Sequence, residues 1–227
     1  MPSFPLLTTK KAVLSEFVKQ YMDRKPNVPM YQQFAELKKV YGEYQKNKSD
    51  ATLHYLFALC LRILHGNRIP WINTRQAVDA LEESGILGHK FSDFEELHAE
   101  VKSILSGIHF AEGPLMVYDT ALCIGTLLDV WPEKHVYLYA GAWNGAVCLK
   151  DRKDISNVML TKEWQKPDLF SGIDSVDIED ILCHLDWLFN KLQKNRAVSM
   201  DDIDKRLKVE NIPPFSEEAL KKMGYLL

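Results

Sequence analysis

From Ser49 to His65 the chain opens with Ser49-Asp50 and continues through Leu53, Tyr55, Leu56, Phe57, Leu59, Leu61, Ile63 and Leu64, apolar nearly all round a helix. A helix without a polar stripe has to be covered on every side, so it predicts a core built around it from further elements. The rest of the chain offers mostly helices for that purpose. Val13, Phe17, Val18 and Tyr21 recur at helical spacing behind Thr8 and Thr9 and predict a helix over 10–24, stopped by Lys25-Pro26. Phe34, Leu37, Val40 and Tyr41 predict a second over 31–45, with lysines on the opposite face.

Past the central helix, Gly66 and Asn67 supply a left-handed exit and Ile69-Pro70-Trp71 an extended linker. Asn73 or Thr74 caps a short helix through Leu81, ended by Gly85, and Ser92-Asp93-Phe94-Glu95 has the form of a capping box for a helix reaching Ser106. Ile178, Ile181, Leu182, Leu185, Leu188, Phe189 and Leu192 form a broad apolar stripe on a helix over 176–193, begun by Asp174 or Ser175. Ser199 caps a helix to Leu207, Pro213-Pro214 turns the chain, and Ser216-Glu217-Glu218 opens a last helix ending at Gly224. Residues 150–172, with Pro167 and Gly172 and weak periodicity, read as a long irregular loop. The expected fold is therefore all-α, a single helical domain over 1–227.

Composition narrows the function. With 46% apolar residues the chain has material for a sizeable core, and a net charge of -3 means that any nucleic-acid binding has to come from a local patch. Cys60, Cys123, Cys148 and Cys183 are far apart, outside the close pairs of zinc ribbons and redox dithiols, and are expected as buried thiols in a reducing compartment. The N-terminal residues lack the pattern of a signal peptide and no stretch has the length of a membrane span, so the expected location is the cytoplasm, with no membrane partner. The histidines (His54, His65, His89, His98, His109, His135, His184) show no metal-binding spacing, and no phosphate-binding glycine loop or serine elbow occurs. Neither a metal nor a cofactor is expected. Cys183, His184 and Asp186 are the residue types of a thiol site, but neighbours on a helix point apart and a partner from elsewhere would be needed. Trp71, Trp131, Trp143, Trp164 and Trp187 fill gaps between helices or line a pocket.

The segment from Ile104 onward contains Ala111-Glu112-Gly113-Pro114-Leu115-Met116-Val117-Tyr118-Asp119-Thr120-Ala121-Leu122, then Val136-Tyr137-Leu138-Tyr139-Ala140-Gly141. Over Ser103–Leu149, about a fifth of the chain, it resembles the helix-hairpin-helix segment of the DNA glycosylase superfamily. It is also similar to uncharacterised bacterial proteins that carry Gly-Val-Gly, then Val-Tyr-Asp-Thr-Ala-Leu, then Val-Tyr-Leu and Ala-Gly. In such a hairpin a Gly-x-Gly turn aims backbone amides at a phosphate where the dipole of the second helix favours an anion. The resemblance implies that the amides of Glu112, Gly113, Leu115 and Met116 would do this here. Three residues oppose it: Ala111 resists a positive φ, Glu112 brings a carboxylate to the phosphate position, and Pro114 has no N–H. Gly113-Pro114 is equally a plain helix start.

In the glycosylases an aspartate lies a little beyond the second hairpin helix. Here that stretch holds Glu133, with Asp129 ahead of Pro132, so Glu133, Asp129 and Asp119 are the candidate acids. Asp119 and Thr120 can position a base or a water, or fix their helix against its neighbour. Gly141 and Gly145, among Ala140, Ala142 and Ala146, suit close helix packing. The expectation is a catalytically silent relative that binds nucleic acid, with a protein partner as the alternative and base excision through a non-standard acid as the third reading.

Overall fold

A computed structural model describes residues 6–64, 74–167 and 169–208. Among these residues the chain is mostly helical: α1 (Lys10–Arg24), α2 (Pro29–Asn47), α3 (Asp50–Cys60), α4 (Arg75–Glu83), α5 (Phe94–Ile104), α6 (Pro114–Leu128), α7 (Ala140–Val147), α8 (Ser175–Gln193) and α9 (Met200–Leu207), with strands β1 (His135–Tyr137) and β2 (Val158–Leu160). No helix among them is long and apolar enough to cross a membrane. Contacts among the described residues gather them into two compact units, the first holding those up to Tyr31 and from Pro132 onward, the second those between Gln32 and Trp131. The exit at Gly66 and Asn67, the Ile69-Pro70-Trp71 linker, the Pro213-Pro214 turn and the helix over 216–224 lie outside the described residues.

The first unit is organised on α8. Its stripe of Ile178, Ile181, Leu182, Leu185, Leu188 and Phe189 is buried with Phe17, Tyr21, Val136, Leu138, Trp164 and Phe170. At roughly 1.5–3 kcal/mol for each large side chain removed from water, this stripe is the main apolar gain of the unit. α7 lies directly on α8. A Cβ at Gly145 would stand 2.0 Å from the Leu182 carbonyl oxygen, and one at Gly141 would stand 2.7 Å from Cys183 Sγ. The small residues of α7 thus let two backbones meet, as their spacing predicts. Residues 150–172 are less irregular than expected: β2 pairs antiparallel with β1, His135 opposite Leu160 and Tyr137 opposite Val158. A three-residue strand is too short for its alternation to stand out in a sequence. The Thr161 and Ser175 hydroxyls, 2.6 Å apart, both donate to the Glu133 carbonyl at 3.0 Å, tying the chain before β1 to the end of β2 and the start of α8.

The second unit contains the apolar helix. In α3 Tyr55 to Cys60 are all buried, but the α-helix ends at Cys60 and residues 61–64 form a turn, so it is shorter than the apolar run. α6 is buried as completely, from Val117 through Thr126. At the start of α5 the cap is displaced by one residue from the expected box. Asp93, not Ser92, accepts from the Glu96 N–H, and Glu96, not Glu95, accepts from the Ser92 N–H and hydroxyl. Cys60 and Cys123 are buried, whereas Cys148 and Cys183 are only half-buried, a correction to the reading of all four as buried thiols.

Two outcomes follow from this packing. Gly145→Ala drives a methyl into the Leu182 carbonyl and should cost roughly 1–3 kcal/mol of unfolding free energy in urea titrations, the range for overpacking. At the start of α9, burial raises the Asp202 carboxyl, but the Lys191 ammonium and the Ser199 hydroxyl and N–H outweigh it and bring its pKa down to about 2. A depressed carboxyl contributes stability that is present above its unfolded pKa near 4 and lost as pH falls toward 2, so Asp202→Asn should flatten that part of the acid limb.

Candidate functional site

α5 and α6 pack against each other, and the chain between them makes a tight turn. α5 ends at Ile104 with Leu105 as its C-cap, and the connection turns through two left-handed residues, Gly107 at φ 75° and Phe110 at φ 62°. Ala111 therefore avoids the positive φ it would resist, and the bulky Phe110 takes it one residue earlier, in a conformation costing on the order of 1–3 kcal/mol. Ala111 is fully buried, and its N–H and that of Glu112 both donate to the Ile108 carbonyl at 3.1 Å. Gly113 is extended, φ −65° and ψ 141°, and Pro114 is the first helical residue. Val117 closes the first intrahelical bond, N–H to the Gly113 carbonyl at 3.0 Å.

The N–H groups of Gly113, Leu115 and Met116 make no hydrogen bond among the described residues. Of the four residues whose amides the resemblance selects, only Glu112 has its amide occupied. Its exposed carboxylate is turned back onto the Gly107 N–H at 3.2 Å, at the end of α5. Gly113 needs neither a positive φ nor the space of a missing side chain, since the nearest atom to a Cβ there is the Phe110 carbonyl oxygen at 3.9 Å. The turn is thus a helix start with three open donors and a small residue at its lip.

Two of the candidate acids, Asp119 and Asp129, share α6 with this turn. Asp119 is buried in the middle of α6 beside Thr120, itself fully buried. Burial raises the Cys123 thiol well above its usual range, with the Cys60 thiol and the Asp119 carboxylate adding to the rise, which keeps the sulfur protonated. Asp129 ends α6 in the left-handed conformation at φ 59° and accepts from Trp131 Nε1 at 3.2 Å. It stands at the far end of a 15-residue helix, on the order of 20 Å from the turn. Glu133 belongs to the first unit. Its side chain is exposed, and the fold uses its backbone carbonyl.

Cys183, His184 and Asp186 also point apart. Cys183 faces Gly141, His184 lies 3.5 Å from Asp180 and against the Phe17 ring, and Asp186 takes Asn144 and Asn190. Among the described residues no group of three or more histidine, cysteine, aspartate or glutamate side chains is placed to hold a metal ion. The tryptophans divide. Trp164 is fully buried, Trp131 is half-buried on the Phe34 ring, and Trp187 is 42% exposed with the Arg206 guanidinium over its ring.

The sequence did not single out a dense polar cluster in the first unit. Asp177, on the first turn of α8 and fully buried, accepts from Lys25 Nζ at 2.7 Å, the Tyr31 hydroxyl at 2.9 Å and the Tyr21 hydroxyl at 3.3 Å. The Tyr21 hydroxyl also reaches Asp180 at 2.8 Å. Burial and the two carboxylates hold the Tyr21 phenol well above its ordinary range, and burial does the same for Tyr31. Although burial opposes its charge, Lys25 is held protonated by Asp177 and Tyr31. Neither phenol is a base nor Lys25 a nucleophile in this state, so the cluster works as a clamp. Only the regular stripe of α8 was legible; that a carboxylate inside it would meet Lys25 depends on contacts across the unit.

No family model, curated protein or solved structure matches the chain.

The clamp makes a prediction of its own. A phenol whose pKa rises on folding contributes stability that is complete below its unfolded pKa near 10 and fades as pH climbs through the folded value. Stability should therefore fall above about pH 10, and less steeply in Tyr31→Phe. Asp177→Ala should cost roughly 3 kcal/mol in urea at neutral pH, because it leaves Lys25 without its main counter-charge.

Proposed function

We propose that the chain is a catalytically silent relative of the helix-hairpin-helix proteins of the DNA glycosylase superfamily, and that it binds nucleic acid through the start of α6. The observation that supports this reading is the set of three unbonded amides at Gly113, Leu115 and Met116. They stand at the positive end of a 15-residue helix, where a phosphate oxygen is favoured by hydrogen bonding and by the helix dipole. Glu112, the residue that most opposes an anion there, has its carboxylate on the Gly107 amide. The strained Phe110 adds weight, because such conformations gather at ligand clamps.

Catalysis is left out of the proposal because of where the candidate acids sit: Asp119 within the core of its unit, Asp129 bonded at a helix end, and Glu133 exposed, its backbone carbonyl holding Thr161 and Ser175. A protein partner is the second reading, favoured by Trp187, since tryptophan and arginine side chains often carry binding energy at protein interfaces.

The test is fluorescence anisotropy with short single-stranded and duplex DNA and RNA across a salt series. Binding should weaken steeply with salt, as counterion release requires. Gly113→Asp improves the helix cap by a few tenths of a kcal/mol while placing a negative charge on the site, so it should bind about tenfold more weakly with no loss of thermal stability. Glu112→Gln should bind more tightly. Salt-insensitive anisotropy, or a Gly113→Asp chain that binds as well as the parent, would remove nucleic acid from the reading.

A further inference from the structure

We propose that the outer edge of β2 is a docking site for an extended segment of a partner protein, taken up as a third strand. The proposal rests on the first unit alone and is independent of the α6 reading.

The backbone pairing carries it. Leu138 N–H donates to the Asn157 carbonyl at 2.7 Å and Thr161 N–H to the Lys134 carbonyl at 3.0 Å. With His135 opposite Leu160 and Tyr137 opposite Val158, these bonds fix which pairs of the ladder are hydrogen-bonded. Antiparallel pairs alternate, so Val136 and Met159 exchange bonds, while the N–H and C=O groups of Val158 and Leu160 turn away from β1. Among the described residues nothing takes the Val158 N–H or the Leu160 N–H; the Val158 carbonyl accepts the Ser156 hydroxyl at 2.6 Å, and the Leu160 carbonyl begins the 3-10 turn over Thr161–Glu163. These groups recur every second residue, the repeat at which an added strand presents its own.

Side chains and charge say what kind of strand fits. Val158 and Leu160 are 38% and 39% exposed, and Met159 between them is buried. Sheet edges are commonly protected by lysine, proline or a bulge, whereas both outward positions here carry aliphatic residues. A groove of about 410 Å³ runs here, lined by Ile155 and Met159 together with His135, Lys153, Asp154, Ser156 and Glu163. With the His135 imidazole neutral, one cation against two carboxylates leaves it an excess negative charge. The occupant is therefore an extended segment with two apolar residues separated by one, beside Val158 and Leu160, and flanked by lysine or arginine.

The probe is the blocked peptide acetyl-Lys-Val-Thr-Val-Lys-amide, titrated into the full ¹⁵N-labelled chain. The Val158 and Leu160 amide signals should shift and their hydrogen exchange should slow. Leu160 has φ −62°, the value proline imposes, and its N–H is outside the ladder, so L160P deletes one outward donor while keeping the pairing with β1. L160P should weaken binding about tenfold, or 1.4 kcal/mol. The same peptide N-methylated at both valines should lose binding to the parent chain, and this arm decides the matter if the L160P spectrum shows an unfolded protein. Unmoved Val158 and Leu160 signals at millimolar peptide, or equal binding of the methylated peptide, overturn the proposal. So does a concentration-dependent dimer of the parent that L160P abolishes, because the edge is then taken by a second copy.

Discussion

The first unit depends on one close approach, the backbone of α7 against the backbone of α8 at Gly145 and Leu182. Dispersion and burial fall off within a fraction of an ångström, so a contact with no side chain between the helices fixes their separation more tightly than interleaved leucines would. Other features of the unit are then placed by α8: its apolar stripe meets Phe17 and Tyr21 of α1, and its first turn brings Asp177 to Lys25 and Tyr31. The carboxylate can be fully buried because three donors reach it, two of them neutral phenols that bring no further charge to desolvate.

The second unit solves a different problem. Its two most apolar helices, α3 and α6, expose almost nothing over their central turns, and polar groups that fall inside them have to be accommodated there. Thr126 does so by donating to the Leu122 carbonyl one turn back at 2.9 Å. Gly125 does so by absence: a Cβ would stand 2.3 Å from the Val130 carbonyl oxygen, which folds back over the helix end once Asp129 has turned left-handed. The same helix thus has an open, donor-rich start and a closed end.

Much of this was legible in the residue pattern, and the limits have physical causes. Periodicity located the helices because a buried stripe recurs every three to four residues, and the α8 stripe and the α7 glycines matched their expected uses. It placed the end of α3 too late, because apolar character continues past Cys60 although the α-helix does not. It misread the α5 start by one residue, since Ser92 and Asp93 can both cap and only the backbone chooses. The two strands were missed because three residues carry too little alternation. At the turn before α6 the residues Ala111, Glu112 and Pro114 were legible, but not that Phe110 takes the strained conformation and the Glu112 carboxylate folds back on Gly107. The Asp177 cluster was invisible for a deeper reason: its members are distant in sequence, and a lone aspartate in an apolar stripe carries no mark of its partners.

The seam between α7 and α8 also governs how the first unit can come apart. Eight residues are too few to persist as a helix in water, so α7 exists only while it is held against its neighbour. At Gly145 the backbone itself makes the contact, with no side chain that could loosen gradually. Release of α7 is therefore an all-or-none event, and its amides belong to the same cooperative opening as the central turns of α8 rather than to a fraying surface segment.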